Sequence, residues 1–164
     1  MIFTRYSGNA AQLATDIERS SILTFPYDFD NAAWAKTNST VTANTIKVPN
    51  GRVEADSLNR TSGTGEAIVR YTTTAAINTM YTQSVYAKAG STPWLKNRAL
   101  WAISASSTTS TWFNLATGAV GTKEAGITGA RATYVGDGWW LCQVYATSQG
   151  SIGNNFADFG VASA

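Results

Sequence analysis

The chain contains no histidine. That removes the commonest general base, the usual imidazole metal ligand and every Ser-His or Cys-His nucleophile pair. Cys142 is the sole cysteine, so neither an internal disulfide nor a cysteine-based zinc cluster can form. Asp, Glu, Lys and Arg together make up 13% of the chain, about half the usual share of ~25%. Helical surfaces normally draw on Glu, Lys and Arg, so extensive helix is not expected. Twelve basic residues against ten acidic ones give a net charge of +2 with no basic run, and nucleic acid is not an expected partner. No apolar stretch approaches the ~20 residues of a membrane span, so membrane insertion is not expected either. The start, Met1 to Gly8, lacks the apolar run of a secretory signal peptide, which implies a chain made and kept in the cytosol.

What fills the deficit of charge is Thr, Ser, Asn, Ala and Gly, together with six tryptophans and seven tyrosines. The 164 residues suit one domain with a core large enough to fold unaided. Residues 1–20 differ from the rest. Leu13 and Ile17 stand four apart beside Ala10 and Ala14, the pattern of a short amphipathic helix over Asn9 to Arg19 with Ser7 or Asn9 as N-cap. Such a segment would either pack across the base of the domain or serve as an anchor and oligomerisation segment.

From residue 21 to 164 the pattern is one of short strands and turns. Strands are expected at Ile22–Phe25, Thr40–Asn44, Thr45–Val48, Glu66–Tyr71, Tyr81–Lys88, Ala99–Ile103, Thr111–Leu115, Ala130–Val135, Trp139–Ala146 and Phe156–Val161. Turn signals close several of them, notably Pro49-Asn50-Gly51, Ala116-Thr117-Gly118 and Gly136-Asp137-Gly138. Nine or ten strands at this spacing argue for an all-β, antiparallel sandwich or jelly roll and against βαβ units.

Six motifs occur in order: Asp28 to Trp34, Val41 to Asn44, Ala55 to Leu58, Ser84 to Gly90, Trp112 to Thr122, and Val135 to Cys142. This ordered set, spread over residues 21–164, resembles the galactose-binding-like jelly-roll domain of phage and prophage particle proteins, including tail fibres and the head-spike fibres of phage-like gene transfer agents. It is also similar to carbohydrate-binding modules of glycoside hydrolases. Leu141 departs from the pattern, standing where the family commonly has a basic residue. The resemblance implies a non-enzymatic virion protein: a head spike, decoration or fibre assembled in the host cytoplasm and displayed on the particle surface. Its implied partners are other virion proteins through the N-terminal segment, sister copies in a homo-oligomer, and host surface polysaccharide. A capsid cement without glycan affinity and a module accessory to a glycoside hydrolase are the rival readings.

Sugars stack their C–H faces on aromatic rings and give their hydroxyls to amides and charged groups. Period-two alternation turns Tyr86 and Lys88 outward in one strand, Trp112 and Asn114 in another, and Gln143 in a third, where Trp139, Leu141 and Tyr145 share its face. Trp94 follows Pro93 in an expected loop with Lys96, Asn97 and Arg98 close behind, and loops carry binding groups more often than frameworks do. The carbohydrate-binding candidates are therefore Trp94, Arg98, Trp101, Trp112, Asn114, Tyr86, Lys88 and Gln143. Trp34 and Trp139 read as core pillars, Trp101 and Trp112 equally as core or platform, and Cys142 as a small core residue. Catalysis is not expected: most of the ten carboxylates fall in turns, whereas glycoside hydrolysis needs two facing each other across a cleft. No cofactor is called for. Asp28 and Asp30 could ligate a structural calcium, although a solvated turn is the simpler explanation of both.

Overall fold

The computed structural model describes residues 2–4, 22–61, 65–99, 109–148 and 155–161. Among them there is no helix. Twelve strands run β1 (Ile2–Thr4), β2 (Trp34–Thr37), β3 (Ser39–Lys47), β4 (Val53–Arg60), β5 (Ala67–Thr73), β6 (Met80–Lys88), β7 (Trp94–Ala99), β8 (Ser110–Asn114), β9 (Val120–Lys123), β10 (Gly129–Gly136), β11 (Trp139–Thr147) and β12 (Asn155–Val161). They form two six-stranded sheets, ordered β10-β11-β6-β1-β4-β3 and β2-β5-β12-β7-β8-β9. Every pairing is antiparallel.

Alternation decides which residues enter the core. In β6, Gln83, Val85 and Ala87 are buried while Ser84, Tyr86 and Lys88 are not. In β7, Leu95, Asn97 and Ala99 are buried and Trp94, Lys96 and Arg98 are half-buried. One apolar core joins the sheets, with Leu58, Val85, Cys142 and Val144 from the first and Val69, Leu95, Phe113 and Phe159 from the second. At one end an aromatic group closes it: the Trp34 ring lies 4.8 Å from Phe29, 5.1 Å from Tyr71 and 6.0 Å from Phe159. Burying such rings contributes the largest apolar areas per residue. A polar link also spans the two layers, since Gln83 Nε2 donates to Asn97 Oδ1 at 2.7 Å and to the carbonyls of Arg98 and Asp158.

Several expectations need correction. Ile22–Phe25 is irregular, because side chains take up its backbone groups: Thr24 N donates to Tyr71 Oη, and Trp34 Nε1 donates to Phe25 O at 2.8 Å. The two strands expected over residues 40–48 are one, β3, which passes through a bulge between Thr42 and Ile46. Asn44 there has φ +52°, a left-handed backbone that Asn tolerates better than most residues. Trp94 does not sit in a loop; it opens β7, which ends at Ala99, and residues 100–103 of the strand expected there lie outside the described residues. The Gly136-Asp137-Gly138 turn forms as read: φ is positive at Asp137 and Gly138, the pair demanded by a tight hairpin whose twist matches its strands. Of the N-terminal segment, Ile2–Thr4 is a strand of the first sheet. The helix expected over Asn9 to Arg19 lies outside the described residues.

Candidate functional site

The eight sequence candidates fall on two different surfaces. Trp94, Arg98, Trp112 and Asn114 share the outer face of the second sheet. Tyr86, Lys88 and Gln143 share the outer face of the first, and Trp101 lies outside the described residues.

On the second sheet, register places Trp94 opposite Asn114, Lys96 opposite Trp112, and Arg98 opposite Ser110. Trp94, Lys96 and Arg98 thus form a file along β7, about 13 Å from first to last at a strand rise of ~3.3 Å per residue. Trp94 and Trp112 are diagonal neighbours across β7 and β8, a relation that aromatic side chains can span. Gly121 of β9 lets the Trp94 ring lie down: a Cβ on Gly121 would come within 3.1 Å of that ring and 3.5 Å of Trp112 Cβ. A Cβ at this position would require the Trp94 ring to shift by a few tenths of an ångström. Lys96 Nζ lies 5.3 Å from the Trp112 ring centroid and 2.7 Å from Glu66 Oε1. The Lys96 ammonium therefore stays at the edge of the indole face, where a cation is attracted by the ring.

Beside this file stands a charged row. Asp158 of β12 is 2% exposed. Arg70 Nε and Nη2 donate to its two oxygens at 2.7 Å each, and Arg98 Nε and Nη2 donate to Oδ2 at 3.0 and 2.5 Å. Such forked, charge-assisted bonds hold both guanidinium planes fixed. The Asp158 hydrogen bond raises the Arg70 pKa above its ordinary value. Arg70 also stacks over Phe156 at 4.5 Å. Two guanidiniums on one carboxylate leave the row with a positive excess. Two further carboxylates on these strands and their connections are already engaged: Glu66 by Lys96, and Glu124, whose Oε2 accepts from Ser110 N at 2.6 Å.

Asn114 has a local task. Its Oδ1 accepts from Ala116 N and Thr117 N, which caps the β8–β9 turn. Gly118 completes that turn at φ +75°, and a Cβ there would lie 2.1 Å from the Trp140 ring.

The outer face of the first sheet is closed over at Trp139 and Gln143, while Tyr86 and Lys88 stay half-buried and Ser84 is exposed. Trp139 stands opposite Lys88 on that face yet is 0% exposed. It sits in a second apolar cluster with Val48 and Ala55, flanked by Ile46, Tyr86 and Val135. Gln143 is 5% exposed. Its Oε1 accepts from Arg131 Nη2 at 2.7 Å and Tyr145 Oη at 3.3 Å, and its Nε2 donates to Ser84 Oγ. Lys88 lays its stem against Gly138. These side chains are occupied with covering their own sheet.

The acidic turn has its own cation. Lys36 Nζ donates to the carbonyls of Asp30 and Asn31 at 2.9 and 2.6 Å, the oxygens that a metal bound at Asp28 and Asp30 would compete for. Desolvation lowers the Lys36 pKa, with the charges of Asp30 and Asp56 acting against it. Asp56 is turned away, accepting from Phe29 N at 3.1 Å and Asn44 N at 3.0 Å. Burial raises its pKa despite those bonds. No group of three or more Cys, Asp or Glu residues suited to a metal ion occurs among the described residues. Cys142 is buried, and desolvation pushes its thiol up to about 12.

Sequence reasoning missed Arg70, Asp158, Glu66, Phe156 and Gly121 as parts of this surface. Arg70 and Asp158 are 88 positions apart, so only strand register brings them together. Lys96 did carry a signal, since it stands two residues from both Trp94 and Arg98 and so shares their face. No family model and no curated protein matches this chain.

Proposed function

We propose that this chain is a non-enzymatic component of the surface of a phage or phage-like particle, a head spike, decoration or fibre. In this reading its two sheets form a galactose-binding-like jelly roll, and the outer face of the second sheet touches host surface polysaccharide. The observation that supports it is the Trp94–Lys96–Arg98 file beside Trp112: two indole side chains and two cations on one sheet face, brought together by strand register. Rings of this kind offer stacking area to sugar faces, and the fixed donors select hydroxyl or carboxylate groups. The ordered motif series that resembles particle proteins supports the location. Individual contacts of this size are weak, and many copies on one particle multiply them without new chemistry.

A glycan array probed with the purified chain tests the proposal. Binding to capsular or lipopolysaccharide glycans is expected, with Trp94→Ala and Trp112→Ala each weakening it tenfold or more, about 1.4 kcal/mol. Preference for plant polymers would favour a module accessory to a glycoside hydrolase. No glycan binding, together with altered particle assembly in Trp94→Ala, would favour a capsid cement.

A further inference from the structure

The strands β5, β12, β7 and β8 contain three cations, Arg70, Lys96 and Arg98, and a single anion, Asp158. Glu66, just before β5, neutralises Lys96. Lys123 of β9 and Glu124 next to it cancel each other. What remains is one carboxylate shared by two guanidiniums, on strands in the middle of the sheet.

Bracing the sheet would take only one of these arginines. Arg70 alone reaches both Asp158 oxygens, at 2.7 Å each. Arg98 adds a second fork, directed wholly at Oδ2, which already accepts from Arg70. Both guanidiniums turn their Nε–Nη2 edge to Asp158, and among the described residues no acceptor is bonded to the Nη1–Nη2 edge of either. The two arginine side chains are 30% and 20% exposed, against 3% for Asp158. A ligand on this face therefore meets the cations, with the carboxylate shielded behind them. Phe156 backs the Arg70 guanidinium at 4.5 Å. The donors are thus held in place before a ligand arrives, which lowers the ordering cost of binding. Register also sets Arg98 diagonal to Trp112 across β7 and β8, a backbone separation of about 7–8 Å. A hexose ring stacked on Trp112 can turn an exocyclic carboxylate toward that end of the row.

We propose, on the reading of this face as a sugar-contact surface, that it selects glycans carrying a carboxylate on the sugar ring, uronic or sialic acid units, with Arg70 and Arg98 as the groups that bind the acid. An open guanidinium edge matches the two oxygens of a carboxylate and has no such match in a neutral sugar. The test titrates the full chain with oligomers of galacturonate, of alternating glucuronate and N-acetylglucosamine, and of sialate, each beside its carboxyl-reduced neutral form. At least one acid oligomer is expected to bind about tenfold or more tightly than its reduced form. Arg70→Gln and Arg98→Gln should each cut that preference to below about threefold and leave binding of the reduced form as in the parent chain. A role confined to bracing the sheet would change stability and leave the preference intact. Salt gives a reading on the parent chain alone, free of any folding defect in the variants. Raising it from about 0.05 to about 0.5 M should weaken binding of the acid oligomer about fivefold or more and leave the neutral form unchanged. Equal binding of acid and reduced oligomers, or a preference that survives in both variants or resists salt, would overturn the proposal while the sugar-contact reading stands. Absence of binding to acid and neutral glycans alike would overturn both.

Discussion

On the outer face of the first sheet Trp139 and Gln143 are 0% and 5% exposed beside half-buried Tyr86 and Lys88, whereas on the second sheet Trp94, Lys96, Arg98, Trp112 and Asn114 all remain half-buried. Both faces are built from the same alternation of inward and outward side chains. What separates them is cover. Val48, beyond the end of β3, and Val135 in β10 close over Trp139, while on the second sheet the Trp94 ring reaches across β8 to Gly121 of β9, which leaves room for it. An outward position is therefore a solvent position only where no neighbouring strand end or connection reaches over it. Aromatic residues of like sequence context become a satellite core in one case and a contact surface in the other.

The sharpest way to break this comparison is to truncate one indole on each face. Trp139→Ala is expected to destabilise the chain by about 3–5 kcal/mol, the cost of emptying a fully packed aromatic site. Trp112→Ala should cost less than about 1.5 kcal/mol, as for a partly solvated side chain. Urea unfolding of both variants checks this, and equal losses would erase the distinction between closed and open faces.

A smaller effect is expected at the charged row. Asp158→Ala strips the shared partner from Arg70 and Arg98. A fully buried pair broken in this way loses about 3–5 kcal/mol. Both guanidiniums keep partial access to water, with side-chain exposures of 30% and 20%, so about 1–3 kcal/mol is the expected loss. A loss below ~0.5 kcal/mol in the same urea experiment would mean that the row does not brace the open face.

The smallest effect concerns pH. Burial raises the Asp56 pKa in the folded chain, so the folded state holds this proton more tightly than the unfolded state does. Its contribution to stability is then greatest below the unfolded carboxylate value of about 3.9 and falls as pH rises through the raised folded value. Relative to Asp56→Asn, the parent chain should gain stability as pH drops from 7 toward 4. A difference that is flat or of opposite sign in unfolding midpoints measured across that range would contradict the assignment.

Much of the all-β character could be read from alternation and turn chemistry. In β6, β8 and β11 the expected inward residues Val85, Ala87, Phe113, Cys142 and Val144 are buried, but so are Trp139 and Gln143 of β11, which alternation turned outward. Five strands, β1, β2, β4, β7 and β9, escaped notice, and for four of them the physical reason is visible. β4 places Asp56 inward and Ala55 outward, reversing the usual polarity, because Asp56 serves the backbone of Phe29 and Asn44. β2 has only four residues, and β9 is exposed at every position with Gly121 inside it. Trp94 read as a loop residue because Pro93 precedes it and Lys96 and Arg98 follow. The inward file Leu95–Asn97–Ala99 concealed a strand by carrying an amide, whose Oδ1 is taken by Gln83. The candidate site was legible as types of residue but not as a place. Its halves came from separate strands, and nothing local indicates that the Tyr86–Lys88–Gln143 group lies on the face opposite Trp94 and Trp112.

The most direct measurement is an amide and indole NMR titration of the chain with the glycan that binds it best. The expected outcome is that signals of Trp94, Lys96, Arg98 and Trp112 shift together and saturate, while those of Tyr86, Lys88 and Gln143 stay in place. Shifts confined to β6 and β11, or no shift with any capsular or lipopolysaccharide glycan, would contradict the assignment of the open face as the contact surface.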